Sequence, residues 1–160
     1  MAQAFAGQNA QVIICGRRRN ILDATVKELE KEGGKMVGMP CDVTHREEVE
    51  KMVHQIISIY GRLDILVNNA GMSGRTPIDD RDDSKWKQIL EVNLTGTYLC
   101  SKIVMPYMIQ RHFGRIVNIS SVLGQFGVAG YAAYCTAKHG LIGFTKALAL
   151  EVADRGVTVN

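Results

Sequence analysis

Few of the features that mark a specialised binding partner are present in this sequence. No charge sign dominates: 19 lysines and arginines stand against 16 aspartates and glutamates, the net charge is +3, and the basic residues are scattered along the chain. A nucleic-acid surface gathers its basic residues on one face or stripe, so this balance argues against nucleic acid as a partner. Long apolar runs are missing as well. None reaches the roughly 20 residues of a membrane-spanning helix, so no membrane partner is expected. The opening MAQAFAGQNAQ has no basic segment followed by an apolar core, and no signal peptide is read there. Cys15, Cys41, Cys100 and Cys135 lie far apart and out of metal-ligand spacing, while His45, His54, His112 and His139 do not cluster. Both patterns argue against a metal site. Cysteines scattered among apolar neighbours read as buried free thiols in a reducing, cytoplasmic setting.

What is present is ordinary in bulk and specific in detail. The composition, 46% hydrophobic and 22% charged, is that of a soluble globular protein. A chain of 160 residues is one domain's worth, able to bury about 68–70% of its unfolded surface. No repeat, linker or low-complexity segment divides residues 1–160. Apolar strand patterns occur at QVIICG (11–16), KMVGMPCDV (35–43), LDILVNNAG (63–71), GRIVNISS (114–121) and GVTVN (156–160). Helical patterns lie between them. In NILDATVKELEKEGG, residues Ile21, Leu22, Thr25, Val26 and Leu29 form a stripe that stops at Gly33-Gly34. THREEVEKMVHQIISIYG carries a capping box of Thr44 and Glu47 and a stop at Gly61. Two long helices are expected over 83–111 and 131–154. Trp86 and the seven methionines read as packing, and DDRDD (79–83) as a solvated loop and helix start.

Strands that are apolar throughout and alternate with helices build a parallel sheet covered on both faces. The expected fold class is therefore an α/β, doubly wound parallel sheet of Rossmann type. Ligands of such sheets bind at the carboxyl ends of the strands. GRR, CDV, NNAG and SSV fall at four of those ends and converge on one rim.

On that rim, Tyr134 and Lys138 stand four residues apart, and a helix stacks them on one face. A tyrosine hydroxyl with a reference pKa of about 10 is a weak proton donor near neutrality. A neighbouring ammonium favours the phenolate and lowers that value. A serine at the end of the preceding strand can hold a substrate oxygen. These are the requirements of hydride transfer to a carbonyl. The alternative for an isolated Tyr-x-x-x-Lys is an interface tyrosine beside a solvated lysine.

NNAG at 68–71, the asparagine of VNLTG at 92–96, NISSV at 118–122 and YCTAK at 134–138 appear in one order along the chain. By these motifs the sequence resembles the short-chain dehydrogenase/reductase family. Within it, the chain is most similar to 3-oxoacyl-[acyl-carrier-protein] reductases, polyketide ketoreductases and related alcohol dehydrogenases. The resemblance implies a catalytic tetrad of Asn93, Ser121, Tyr134 and Lys138, with Ser121 preferred to Ser120 because it stands thirteen residues before the tyrosine. Asn93 would hold, through its backbone, a water that relays protons to Lys138. The resemblance further implies a nicotinamide dinucleotide held by Asp42 and Val43 at the adenine, by Asn69 and Gly71 along the adenosine and nicotinamide ribose, and by Tyr134 and Lys138 at that ribose. Arg17, with Arg18 beside it and no acid nearby in sequence, matches the position that accommodates a 2′-phosphate, so NADP(H) is favoured over NAD(H).

The expected substrate is a small ketone or secondary alcohol, including a 3-oxoacyl thioester. Homo-oligomerisation, as a homotetramer, is implied through helices 83–111 and 131–154. No match is found for the family's opening strand and glycine-rich turn, nor for its segment beyond residue 160. The expectation is accordingly a single Rossmann-like domain over 1–160, truncated at both ends. Strands 11–16 and 63–69 would lose their common partner. An inactive fragment that acts only by associating with family subunits is the competing expectation.

Overall fold

The computed structural model describes residues 1–31 and 35–160. Its elements are α1 (Ala2–Ala6), β1 (Gln11–Gly16), α2 (Arg19–Glu30), β2 (Lys35–Pro40), α3 (Arg46–Tyr60), β3 (Ile65–Asn68), α4 (Ser84–Leu90), α5 (Gly96–Gln110), β4 (Gly114–Asn118), α6 (Ala132–Glu151) and β5 (Val157–Val159). The alternation expected from the apolar runs is therefore present. Strands 2, 3 and 4 stop earlier than their sequence patterns. The polar tails CDV, NAG and ISS leave the ladder and turn into the rim.

Every strand pairing is parallel. β1 pairs with β2 from Gln11↔Lys35 to Gly16↔Pro40. β4 pairs with β3 on one side, Asn68 opposite Asn118, and with β5 on the other. The sheet is nevertheless in two pieces: β1-β2 and β3-β4-β5 share no ladder. A core made by β2, α3, α5, β4 and β5 joins them, with Val49, Val53, Val104, Met108 and Ile116 at most 2% exposed. Each such side chain contributes about 1.5–3 kcal/mol when buried. On the other side, Leu22 and Val26 of α2 pack over Gly38 of β2, where a Cβ would stand 3.3 Å from each.

Several local expectations are corrected. Ile21 lies outside the α2 stripe and is 46% exposed, whereas Leu22 is buried. Gly33-Gly34 lies outside the described residues. The Thr44–Glu47 capping box does not form. Thr44 Oγ1 donates instead to Asp42 Oδ1 (2.8 Å), and His45 takes the N-cap position, its ring on Glu48 Oε1 (2.9 Å) and not on a helix N–H. Glu48, not Glu47, reaches back, accepting from the Asp42 N–H at 2.8 Å. Gly61 does end α3, left-handed at φ 70° with its N–H on Ile57 O. The helix expected over 83–111 contains a π turn at Glu91–Thr95 between α4 and α5. Asn93 Nδ2 donates to Ile89 O at 2.8 Å, and a side chain inserted at that carbonyl disturbs the i→i−4 ladder. Cys41 and Cys100 are buried free thiols, and burial, the leading cause in each, pushes both up to about 12. Cys15, expected to be buried, is exposed.

Candidate active site

The strand ends are tied together by buried amides. Asn68, the last residue of β3, donates through Nδ2 to Asn118 Oδ1 (2.8 Å) at the end of β4 and to Ser101 Oγ (3.1 Å) on α5. Asn118 Nδ2 donates in turn to Thr145 Oγ1 (2.9 Å) on α6, and Thr145 Oγ1 to Leu141 O (2.8 Å). Buried polar groups are tolerable only when bonded in this way. The ladder holds both strand ends against α6. Sequence reading missed it, although the signal was there: one asparagine closes each of two apolar strands.

Directly beyond β4, two further bonds clasp α6. Lys138 Nζ donates to Ile119 O at 2.7 Å, and Ser120 Oγ donates to Lys138 O at 3.2 Å. Ser120 is thus committed to the helix backbone. The Ser121 hydroxyl accepts from Leu123 N (3.2 Å) at the start of a 3-10 turn, Val122–Gly124, and its proton has no partner among the described residues. Tyr134 and Lys138 share a face of α6 as expected, with Nζ 5.7 Å from the centre of the tyrosine ring. Lys138 is only 6% exposed, and its burial holds the ammonium below the ordinary lysine range.

Asn93 sits inside the π turn, 1% exposed. Its Nδ2 also donates to Met72 O at 2.7 Å, binding the turn to the loop after NNAG. Its Oδ1 is buried without a partner among the described residues and faces Gly71, where a Cβ would come within 2.8 Å. Glycine at 71 is thereby required by close approach. Asn69 and Gly71 are exposed on this rim, and Asn69 N donates back to Val67 O at 3.1 Å.

At the other end of the rim, a cavity of about 250 Å³ is lined by Arg17, Asp42, Thr44, Lys87, Gln88, Glu91 and Val92. Arg17 is not free of acids in space: its Nη1 is 3.8 Å from Asp42 Oδ2. Burial alone would raise the Asp42 carboxyl. Hydrogen bonds from the N–H and hydroxyl of Thr44, with the charges of Arg17 and His45, outweigh it and hold the carboxyl below the usual range. Arg18 is the N-cap residue of α2, exposed and without a side-chain capping bond. Val43 is turned away from this cavity toward Gly96, where a Cβ would lie 2.8 Å from its Cγ2.

The rim thus carries a buried lysine beside a tyrosine, a serine hydroxyl just beyond the adjoining strand and a cavity at the first two strand ends. The short chain dehydrogenase model matches residues 1–160. The chain belongs to the short chain dehydrogenase family. It is 41% identical to a putative ketoacyl reductase of Streptomyces coelicolor, over all of this chain and 62% of that relative. It is 38% identical to the 3-oxoacyl-[acyl-carrier-protein] reductase of Synechocystis, over 99% of this chain and 65% of that one. Among solved structures, a variant of actinorhodin polyketide ketoreductase with NADPH superposes with a TM-score of 0.96 at 41% identity, covering 99% of this chain and 62% of that one. The chain therefore spans less than two thirds of the length of these members. Its fold is the Rossmann-like fold of the family. Among the described residues, no helix is long and apolar enough to cross a membrane, and no group of three or more acidic, histidine or cysteine side chains is placed to hold a metal.

Proposed function

We propose that residues 1–160 form one Rossmann-like unit of an NADP(H)-dependent carbonyl reductase or alcohol dehydrogenase, acting on a ketone or secondary alcohol, with 3-oxoacyl thioesters in its range. The observation that carries this reading is the clasp of α6 to the end of β4. The 2.7 Å bond from Lys138 Nζ to Ile119 O ties the Tyr134–Lys138 helix to the segment that leads from β4 to Ser121. The residues present fit a dinucleotide. A cavity next to Arg17 and Asp42 suits its adenosine end, and Asn69 and Gly71 stand exposed at the end of β3. Support for NADP(H) over NAD(H) comes from Arg17, and the ketoreductase relative solved with NADPH is consistent with it.

Bound nicotinamide would supply or accept the hydride. In the reductive direction, Tyr134 gives its hydroxyl proton to the substrate oxygen while Ser121 donates a hydrogen bond to the same atom. Lys138, anchored on Ile119 O, presents a cation to the tyrosine and so favours its phenolate. Asn93 would hold, through its backbone, a water that relays protons to Lys138.

The deciding experiment is NADPH oxidation with a simple ketone by the chain and by Tyr134→Phe. Positioned acid–base groups contribute about 10²–10⁴-fold, so a loss of that size with an unchanged thermal melt is expected. Equal rates in the two would reject the role of Tyr134.

A second reading has its own observation. Tyr98 of α5 and Phe144 of α6 meet edge to face at 6.3 Å, Tyr98 is 40% exposed and Leu150 81% exposed. These apolar groups on α5 and α6 favour association with family subunits, which an inactive chain could still achieve.

A further inference from the structure

Helix α6 begins without a cap of its own. Its N-cap residue is Tyr131, whose side chain makes no capping bond, and the first N–H groups of a helix have no partner within it. One of them belongs to Ala133, a residue 0% exposed. Bulk water cannot serve that donor, and a buried N–H left unbonded is costly. The acceptor comes from 57 residues away: Ala133 N donates to Thr76 Oγ1 at 3.2 Å.

Thr76 lies in the segment that follows NNAG, and it makes a second bond to the approach of α6. Its own N–H donates to Gly130 O at 2.7 Å. Gly130 is left-handed at φ 78°, and the Arg75 guanidinium lies against it, with Nε 3.2 Å from where a Cβ would stand. Pro77 disfavours helical backbone at the residue before it, which restrains Thr76 as it presents its hydroxyl.

The other end of this segment is fixed as well. Met72 O accepts from Asn93 Nδ2 at 2.7 Å, and Met72 packs, as Tyr134 does, on the buried cluster of Ile89, Ala133 and Ala137. Residues 72–76 therefore form a strap from the π turn to the first turn of α6. Tyr134 follows Ala133 directly, so the hydroxyl that fixes Ala133 N also fixes the backbone from which the tyrosine side chain springs. Lys138, one turn on, is held separately at Ile119 O. The pair thus has two anchors, the end of β4 for the lysine and the strap for the tyrosine.

We infer that Thr76 is a positioning residue for Tyr134: its hydroxyl caps α6 and thereby sets where the phenol stands relative to Ser121 and the substrate oxygen. The inference rests on the reductase reading of Tyr134 and adds to it a residue that acts through the helix backbone. An error of about 1 Å in the placing of a reacting group can cost about a hundredfold in rate.

The test compares the wild type with three variants. Thr76→Val keeps the shape and removes the acceptor, Thr76→Ala removes the acceptor and shortens the side chain, and Thr76→Ser keeps the hydroxyl. Three quantities are read: amide exchange at Ala133, kcat and KM for NADPH-dependent ketone reduction, and the ring NMR signals of Tyr134 in tyrosine-labelled protein. In Thr76→Val and Thr76→Ala, exchange at Ala133 quickens about tenfold. In both, kcat falls about 10–100-fold, while KM for NADPH is unchanged because the anchor of the strap at Asn93 is untouched. Thr76→Ser restores exchange and kcat together. The inference is overturned by unchanged exchange at Ala133, by wild-type kcat in Thr76→Val and Thr76→Ala, or by a kcat in Thr76→Ser as low as in Thr76→Val. If the wild type reduces no ketone, the reductase reading fails and the ring signals decide on the positioning. Signals shifted in Thr76→Val and restored in Thr76→Ser uphold it, and signals unmoved in all three variants reject it.

Discussion

At the scale of single residues, Arg17 shows how a site can be half visible in a sequence. No acid stands near it along the chain, yet the turn after β2 brings Asp42 within 3.8 Å. The contact exists because β1 and β2 are parallel neighbours, so their carboxyl ends meet. An anion binding at Arg17 competes with a carboxylate already there. Hydrogen bonds to charged groups are worth about 1.5–3 kcal/mol, so Arg17→Ala is expected to weaken NADPH about 10–100-fold and leave NADH nearly unchanged. Titration calorimetry with both nucleotides checks this, and equal losses for the two would remove the 2′-phosphate from the account. Asp42→Asn, by freeing Arg17, should move NADPH affinity the other way. The Ser120 and Ser121 assignments illustrate the opposite case. Motif position favoured Ser121, and the bond from Ser120 to Lys138 O supplies a physical reason to prefer it.

At the scale of elements, β4 is the member on which most depends. It pairs with β3 and β5, its end carries the serines, and Ile116 at its centre is wholly buried opposite Leu66 and Val159. Ile116→Ala leaves a cavity with no room to collapse, and a loss of about 2–5 kcal/mol is expected in urea unfolding. A loss under 1 kcal/mol would mean that the three-stranded ladder relaxes freely. The apolar runs made all five strands and most helices legible, because hydrophobic periodicity is local. The π turn was not legible. It depends on Asn93 Nδ2 reaching both Ile89 O within its own helix and Met72 O on a distant loop. The capping box failed for a similar reason: the turn in which Thr44 bonds Asp42 puts His45, not Thr44, at the N-cap of α3.

At the scale of the whole molecule, two lowered pKa values of different origin shape stability across pH. Asp64 accepts from Arg111 (2.9 Å) and Arg62 (2.8 Å). Burial opposes its ionisation, but these bonds prevail and its carboxyl is held low. Such a group stabilises the fold above its unfolded pKa of about 3.9, and that contribution is lost as pH falls through its lower folded value. Lys138 acts in the same direction in a higher pH window. Its ammonium is disfavoured in the fold, so its contribution to stability rises with pH between its folded value and about 10.4. Urea midpoints of the wild type and Lys138→Met should therefore diverge between pH 7 and 10, the wild type gaining more. Parallel curves would show that the buried ammonium costs nothing.

The pairing of Asn68 with Asn118 also sets a waiting time. These partners are 50 residues apart in the chain, and a ribosome adds about 5–20 residues per second. For about 3–10 seconds after β3 is made, Leu66 and Val67 have no strand to join. During synthesis the edge of β3 that will face β4 is thus left unsheltered, and the nascent chain is prone to sticking there in the interval before β4 emerges.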